Sequence, residues 1–409
     1  MQNILSKSNR LLLLACYFWA FPVIRMVLSK LFLTFLGTES PVDYSAFLGI
    51  PLLYLAFFGN SRGKIKSHET FAYIGIVALY ILHLALYPEN QANIIKMMFS
   101  FLVCSLPCFF AGEILDFKQL VKPFYKIAIV VILGFAWYTM LHKTARADYE
   151  GGAEDMYFAY MLLPHVIYMV WYAFTTVKPI DIALSVFGVF LLLSMGTRGP
   201  MVCLLFFMVF FILFVYNRVK RSTKIFVSLL AIAGLAVSIM IGDEAMLFLQ
   251  SLLARMGLST RILDMSMDAQ FMGGESVMER DYLRYASLEA LKEDKIFGYG
   301  FAGSYGIMGT YPHNLAVELW LTFGVFLGSI ILLSIIILVV RAFIVTKDGE
   351  KRGFLLLWVS CGFVSYFMSR TFLGAPDVFV MLGYSLLLIR ENRRNHAANK
   401  NSRPVNVLQ

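Results

Sequence analysis

The sequence predicts an all-α integral membrane protein that crosses the bilayer about twelve times. Three observations lead to this fold class: an apolar composition, apolar runs of membrane-spanning length along most of the chain, and a one-sided distribution of positive charge. Together they indicate a single membrane domain over residues 1–409, because only lipid can cover so much apolar surface.

Composition is the first observation. The 409 residues are 59% hydrophobic and only 15% charged, with a mean hydropathy of +0.72. A soluble domain has to cover its surface with polar side chains, whereas a membrane domain does not. The 37 Phe and 21 Tyr residues also suit a lipid-facing surface with interfacial anchors. The five cysteines lie in apolar runs, which indicates small buried side chains rather than disulfides or a metal site.

Apolar runs are the second observation. A hydrocarbon core of about 30 Å requires about 20 apolar residues per helix. Because many runs follow the first one, that first run is predicted to be a signal anchor rather than a cleaved signal peptide. The predicted spans are 11–29, 45–59, 71–87, 94–114, 124–141, 157–176, 180–196, 199–216, 225–242, 315–340, 353–369 and 372–389.

The distribution of positive charge is the third observation. Lys and Arg are enriched in cytoplasmic loops of membrane proteins. When the N-terminus is placed inside, most of the 35 Lys and Arg residues fall on inner segments, and the predicted outer turn 87–92 has none. Both termini are therefore predicted to be cytoplasmic, with residues 390–409 forming a basic tail. The net charge of +9 is then explained by the positive charges of the cytoplasmic segments, and it gives no reason to expect a nucleic-acid partner.

One long connection, at 243–313, is predicted to lie outside the membrane. Long connections in a compact protein are usually functional or disordered, and this one is not of low complexity. Its apolar spacing predicts an interfacial helix over 246–258 and a second helix over 280–293, with a hinge at Gly273–Gly274 and a glycine-rich loop over 297–309.

Arginines on the predicted outer face are candidates for anion binding. The positive-inside rule disfavours them there, and guanidinium groups match phosphate oxygens with two parallel hydrogen bonds. The alternatives are a guanidinium that snorkels to the interface and a solvated helix face paired with neighbouring carboxylates. The candidates are Arg198 at a tight helix–helix turn, and Arg261, Arg280 and Arg284 on the long loop.

His313 is the candidate base, because it directly precedes the predicted span 315–340. An imidazole, with an ordinary pKa of about 6.5, can accept a proton from a hydroxyl group at neutral pH. A histidine that only makes structural hydrogen bonds is an equally common alternative. Tyr311, Asn314 and Glu318 are the polar neighbours that could support it, and His83 and His165 lie within predicted spans.

Sequence signatures of metal, nucleotide or nucleophile chemistry are missing from the chain. No metal-ligand cluster, phosphate-binding loop, dinucleotide fingerprint or nucleophile elbow occurs in a suitable context. The glycines at 298–303 follow no predicted strand and lie on the wrong side of the membrane for a nucleotide. We therefore expect any group transfer to proceed without a metal or another cofactor.

Four sequence segments resemble the O-antigen ligase and O-antigen polymerase (Wzy) superfamily of bacterial membrane glycosyltransferases. Thr197 stands where that superfamily usually has serine, and Arg284 and Lys295 stand where tryptophan and proline are common. The segments are GTRGP at 196–200, GLSTR at 257–261, Arg280 with ASLEAL at 286–291 and IFGYG at 296–300, and PHNL at 312–315 followed by Glu318 and Gly324.

The resemblance implies a GT-C type membrane fold and an undecaprenyl-pyrophosphate-linked glycan as donor and as acceptor. It implies that His313 is the general base or acceptor-positioning group, and that Arg198 and Arg280, with Arg261 and Arg284 nearby, neutralise the pyrophosphate. It also implies the bacterial inner membrane, an active site facing the periplasm or exterior, no cofactor, and a copolymerase that regulates chain length as a possible partner.

Three functions are compatible with these residues and their predicted positions. A polymerase joins lipid-linked repeat units, and the 257–261 segment and the short Arg280–His313 interval favour it. A ligase uses the same chemistry but transfers the glycan to lipid A core. A lipid-linked oligosaccharide flippase would instead require its cationic residues in a midplane cavity, whereas these are predicted at the outer face.

Overall fold

Helices make up the architecture. The computed structural model describes residues 67–113, 117–145, 153–195, 197–216, Ser251, 275–293, 296–374 and 376–401, and every regular element in these ranges is helical. A helix satisfies its backbone groups internally, which explains why so apolar a chain adopts it. The helices are α1 (Ser67–Leu86), α2 (Gln91–Ser100), α3 (Leu106–Gly112), α4 (Phe117–Ala145), α5 (Ala153–Thr176), α6 (Pro179–Ser194), α7 (Arg198–Phe214), α8 (Glu275–Glu293), α9 (Gly303–Met308), α10 (Leu315–Val345), α11 (Gly349–Val359), α12 (Ser365–Met368) and α13 (Pro376–Asn401).

Most of the predicted spans coincide with helices. The predicted spans 11–29, 45–59 and 225–242, and the predicted interfacial helix 246–258 apart from Ser251, lie outside the described residues. Among the described helices, α4, α5 and α10 are long and apolar enough to cross a bilayer, and the pair Phe71–Leu86 and Pro88–Met98 is bent by 108°. The described residues confirm the all-α prediction and are consistent with a membrane protein, whereas the number of twelve crossings and the GT-C fold stay predictions.

Helices α3 and α13 approach each other at two glycines. A Cβ atom built on Gly112 would lie 2.6 Å from the carbonyl oxygen of Val380, and one built on Gly383 would overlap the carbonyl oxygen of Phe109. Small residues let membrane helices pack backbone against backbone. This crossing fixes the beginning of α13, which carries part of the candidate site described below.

Helix α10 is not the straight span that the apolar run 315–340 predicts. Gly324 has φ 78° and ψ 163°, a conformation open to glycine alone, and it interrupts the helix. Trp320 Nε1 donates a hydrogen bond of 3.0 Å to Ser329 Oγ, and a Cβ atom built on Gly328 would lie 2.7 Å from the Leu319 carbonyl oxygen. Residues nine apart in a continuous helix are about 13.5 Å apart, so the short helix 315–323 folds back against the long part of α10.

The prediction of a glycine-rich loop over 297–309 is wrong in one part. Gly303–Met308 forms the short helix α9, flanked by Ala302 and Gly309 in the left-handed conformation. The glycines at these positions therefore allow turns around a helix rather than a single open loop. The predicted helix 280–293 is confirmed within α8, which begins earlier, at Glu275.

Candidate functional site

The fold brings a short polar segment, 369–372, against the beginning of α10. Ser369 Oγ lies 3.4 Å from His313 Nδ1, and the Tyr311 hydroxyl donates a hydrogen bond of 3.2 Å to the Ser369 carbonyl oxygen. The rings of Tyr311 and His313 are in contact, with centroids 4.3 Å apart. His313 is thus held by a hydroxyl from a distant part of the sequence and by the aromatic ring of a near neighbour.

The backbone at 313–314 presents His313 just outside the helix. His313 has φ 53°, a left-handed conformation that is uncommon for residues other than glycine. Asn314 follows as the N-cap of α10, and its Oδ1 accepts hydrogen bonds from Ala316 N at 3.0 Å and Val317 N at 3.3 Å. The cap stabilises the first turn of the helix, so the predicted supporting role of Asn314 has a specific physical form here.

Glu318 connects the same short helix to the 369–372 segment. The side chain is buried, with 1% exposure. Its Oε1 accepts a hydrogen bond from the Thr371 hydroxyl, and its Oε2 accepts one of 3.2 Å from Phe372 N. A buried carboxylate is stable only with such partners, so Glu318 fixes the position of the segment that contacts His313.

Tyr305 of α9 borders this group. Its ring lies 6.3 Å from that of Tyr311, centroid to centroid. Burial raises the pKa of the Tyr305 hydroxyl, and the nearby Glu318 and Tyr311 raise it further. Tyr305 is therefore a neutral hydrogen-bonding group at the edge of the site.

Arg370 adds a cation one residue after Ser369. Its Nη1 lies 2.5 Å from Asp377 Oδ2 at the beginning of α13. The guanidinium carbon also lies over two aromatic rings, 5.7 Å from the centroid of Tyr160 and 5.5 Å from that of Tyr366. Such contacts between a cation and a ring face are attractive and restrict the orientation of the side chain.

Tyr160 also contacts the beginning of α7. A Cβ atom built on Gly199 would overlap the Tyr160 hydroxyl and would lie 3.4 Å from Met368 Cβ. The backbone of Arg198, the neighbouring residue, therefore starts α7 beside Tyr160, at the end where Arg370 lies. The side chain of Arg198 is outside the described residues.

The remaining predicted arginines lie on or near α8. One face of this helix packs against the beginning of α10, through Ala290 and Leu291 against Val317 and Leu321. Leu283 on α8 is also buried. Arg280 precedes Leu283 by about one turn, but its side chain, like the whole of Arg261, lies outside the described residues. Arg284 is exposed and makes no described hydrogen bond or ion pair with the His313 group. The structure does not join Arg284 to the site.

A glycine loop at 298–301 braces this region from the side of α1. His83 Nδ1 accepts a hydrogen bond of 2.9 Å from Phe301 N, and Asn90 Nδ2 donates one of 2.9 Å to the Phe301 carbonyl oxygen. Tyr87 donates a third, of 3.2 Å, to the Gly298 carbonyl oxygen. The outer turn 87–92 and the loop 297–309, both predicted to lie outside, are thus on the same side of the helices. His83 has a structural partner here and no contact that points to catalysis.

We expect His83→Leu to destabilise the protein by about 1–3 kcal/mol, because the buried Phe301 N–H would lose its acceptor. The measurement is the midpoint of thermal unfolding in detergent. His396→Leu is the matched control, since His396 is exposed on α13. An unfolding midpoint of His83→Leu equal to that of the wild type would show that the loop is held without this hydrogen bond.

Residues 183–333 match the family model described as O-antigen ligase. The match supports the O-antigen ligase and polymerase superfamily. It runs from within α6 into the long part of α10 and includes Arg198, Arg280 and His313, but it ends before the 369–372 segment. The family indicates a membrane protein of ligase or polymerase type that transfers glycosyl groups, and it does not distinguish the two branches. No curated protein matches the chain significantly.

Sequence reasoning missed the 369–372 segment. Its signal was present: Arg370 stands between the predicted spans 353–369 and 372–389, at a tight turn that is predicted to be outside, like that of Arg198. The same violation of the positive-inside rule that singled out Arg198 would have singled out Arg370. Among the described residues, no group of three or more His, Cys, Asp or Glu could hold a metal ion.

Proposed function

We propose that this protein is a bacterial inner-membrane polymerase that joins undecaprenyl-pyrophosphate-linked oligosaccharide repeat units on the outer face of the membrane. The observation that carries the proposal is the position of His313. It lies between Tyr311 and Ser369, next to Arg370 and close to the turn that carries Arg198. A base near two arginine-bearing turns suits transfer from a pyrophosphate leaving group.

The reaction is a single displacement with inversion. The hydroxyl oxygen of one repeat unit attacks the anomeric carbon of the other glycan, and a new C–O bond forms. The bond between that carbon and the phosphate oxygen breaks, and its electron pair leaves with undecaprenyl pyrophosphate. The hydroxyl proton passes to His313. The guanidinium groups stabilise the negative charge that develops on the phosphate, a role that a metal ion performs in other transferases.

A ligase is the second candidate, since the matching family model carries that description. Its donor and chemistry are the same, but its acceptor is a lipid A core. The short interval between Arg280 and His313 favours the smaller acceptor of a polymerase. A chain-length-regulating copolymerase is a further proposed partner.

The test is an assay with purified full-length protein and a lipid-linked repeat unit, in EDTA and in Mg²⁺. A ladder of products in EDTA supports the metal-independent polymerase. Transfer only after addition of lipid A core identifies a ligase. If the protein transfers glycan to neither acceptor but moves the lipid-linked glycan across liposome membranes, the result would contradict the enzyme and indicate a flippase.

The same assay tests the contribution of each arginine to the transfer rate. We expect Arg198→Ala and Arg280→Ala each to lower the rate by about 10- to 100-fold, the range expected for one lost charge-assisted hydrogen bond. Arg284→Ala is the comparison on the same helix and should retain nearly the wild-type rate, because Arg284 is exposed and makes no described hydrogen bond or ion pair with His313 or the residues around it. A rate for Arg284→Ala as low as that for Arg280→Ala would show that Arg284 also contacts the substrate, as residues four apart share one helix face.

A further inference from the structure

Arg370 occupies the middle of the segment that contacts the candidate site. The residue before it, Ser369, lies 3.4 Å from the His313 ring, and the residue after it, Thr371, donates a hydrogen bond to Glu318. Both flanking residues are thus tied to the beginning of α10. The backbone at Arg370 is consequently fixed beside His313, although it lies outside the segment that matches the family model.

The side chain of Arg370 is oriented as well. Asp377 holds Nη1 at 2.5 Å, and the guanidinium lies over the rings of Tyr160 and Tyr366. The pair is only partly buried, with 22% of the Arg370 side chain and 15% of the Asp377 side chain exposed. An ion pair of this kind does little for stability by itself, whereas a guanidinium of fixed orientation is well suited to recognise phosphate oxygens.

Tyr160 connects Arg370 with Arg198. The ring lies under the Arg370 guanidinium, and its hydroxyl lies against Gly199, the second residue of α7. The two arginine-bearing turns, which are more than 170 positions apart in the sequence, therefore meet at one side chain. This is the arrangement that a diphosphate needs, because its charge is spread over two phosphate groups.

We propose that Arg370 is a pyrophosphate-binding residue that acts together with Arg198, with Asp377 and Tyr160 orienting its guanidinium. The ligand class is a polyprenyl pyrophosphate, and the inference rests on the proposed function in requiring such a leaving group. A purely structural ion pair leads to a different prediction. Substitution of Arg370 and of Asp377 would then weaken ligand binding equally, because removal of either partner destroys the pair.

The test is direct binding of farnesyl pyrophosphate, a short soluble probe, to the purified full-length protein in detergent. We expect Arg370→Met to weaken binding by about 10- to 100-fold, as for the loss of a charge-assisted hydrogen bond. Arg370→Lys should weaken it several-fold, since an ammonium group cannot reproduce the planar fork. Asp377→Asn should bind as well as the wild type or more tightly, because an amide oxygen can still accept the orienting hydrogen bond from Arg370 while the competing negative charge is removed.

Arg390→Met is the matched control. Arg390 follows Asp377 by roughly 20 Å along α13 and pairs with Glu113 at 3.0 Å, so its loss removes an ion pair on the same helix away from the site. Its binding should equal that of the wild type. If Arg370→Met does not fold, Arg370→Lys and Asp377→Asn still distinguish a pyrophosphate-binding role of Arg370 from a purely structural ion pair.

Three results would overturn the inference. Wild-type affinity in Arg370→Lys, and in Arg370→Met if it folds, would remove Arg370 from the binding site and leave the proposed function intact. Equal weakening in Asp377→Asn and the Arg370 variants would show a structural pair. No binding of the probe by the wild type would overturn the pyrophosphate chemistry of the proposed function together with this site.

Discussion

Replacing His313 with alanine is expected to slow glycosyl transfer by about 10²–10⁴-fold, the usual contribution of a general base. The imidazole lies beside Ser369 and can accept a proton from a sugar hydroxyl at neutral pH. Residual activity should persist, because the guanidinium groups still stabilise the leaving pyrophosphate. Binding of farnesyl pyrophosphate should change little, since His313 acts on the acceptor side.

The measurement is the initial rate of ladder formation with purified protein at several pH values. Only a neutral imidazole accepts a proton, so the wild-type rate should fall as the pH is lowered, and the variant should lack that decline. His313→Asn is a second variant, because asparagine tolerates the left-handed backbone of this position and cannot act as a base. His396→Ala is the control. A folded His313→Asn protein with the wild-type rate would disprove the general-base role.

Gly324→Ala is expected to be the most destabilising single substitution that we predict, by roughly 2–6 kcal/mol from backbone strain and overpacking together. The conformation of Gly324 is open to glycine alone, and an added Cβ atom would overlap the Ile296 carbonyl oxygen. Relief of the overlap requires the short helix 315–323 to move, and this helix carries Glu318. Activity should therefore fall together with stability.

Alanine substitutions at two other glycines distinguish backbone strain from steric overlap of the added Cβ atom. Gly309 also has a positive φ, of 71°, but a Cβ atom built there meets nothing within 4 Å, so Gly309→Ala tests strain alone. Gly134 lies within α4 and also has open space, so Gly134→Ala should be neutral or slightly stabilising. The measurement is thermal unfolding in detergent, paired with the rate. A loss in Gly324→Ala no larger than in Gly309→Ala would contradict the packing of the 296–298 backbone against Gly324.

The helices of the described region were largely predictable, because an apolar run by itself indicates a helix that is buried in lipid or among other helices. The continuous run 315–340 shows the limit of such reasoning. Its residues are apolar on both sides of Gly324, so hydropathy gives no sign that the first nine residues fold back. A glycine in a membrane helix is common, and only its close contact with the Ile296 backbone makes this one a break.

The candidate site was predictable in its chemistry but not in its assembly. His313 and Arg198 follow from residue type and from their place at the ends of apolar runs. Their relation to each other depends on Ser369, Arg370 and Tyr160, which lie far away in the sequence. Spacing along one chain carries no information about which outer turns meet.

The sequence by itself determined that this is a helical membrane protein, and which residues could bind phosphate or accept a proton. Those properties are local, since they depend on the transfer of side chains into lipid and on the chemistry of single groups. The tertiary structure decided that the 369–372 segment is clamped by Glu318 against His313 and that Arg370 meets the beginning of α7 at Tyr160. These contacts join residues that are distant in the sequence, and only the packing of whole helices brings them together.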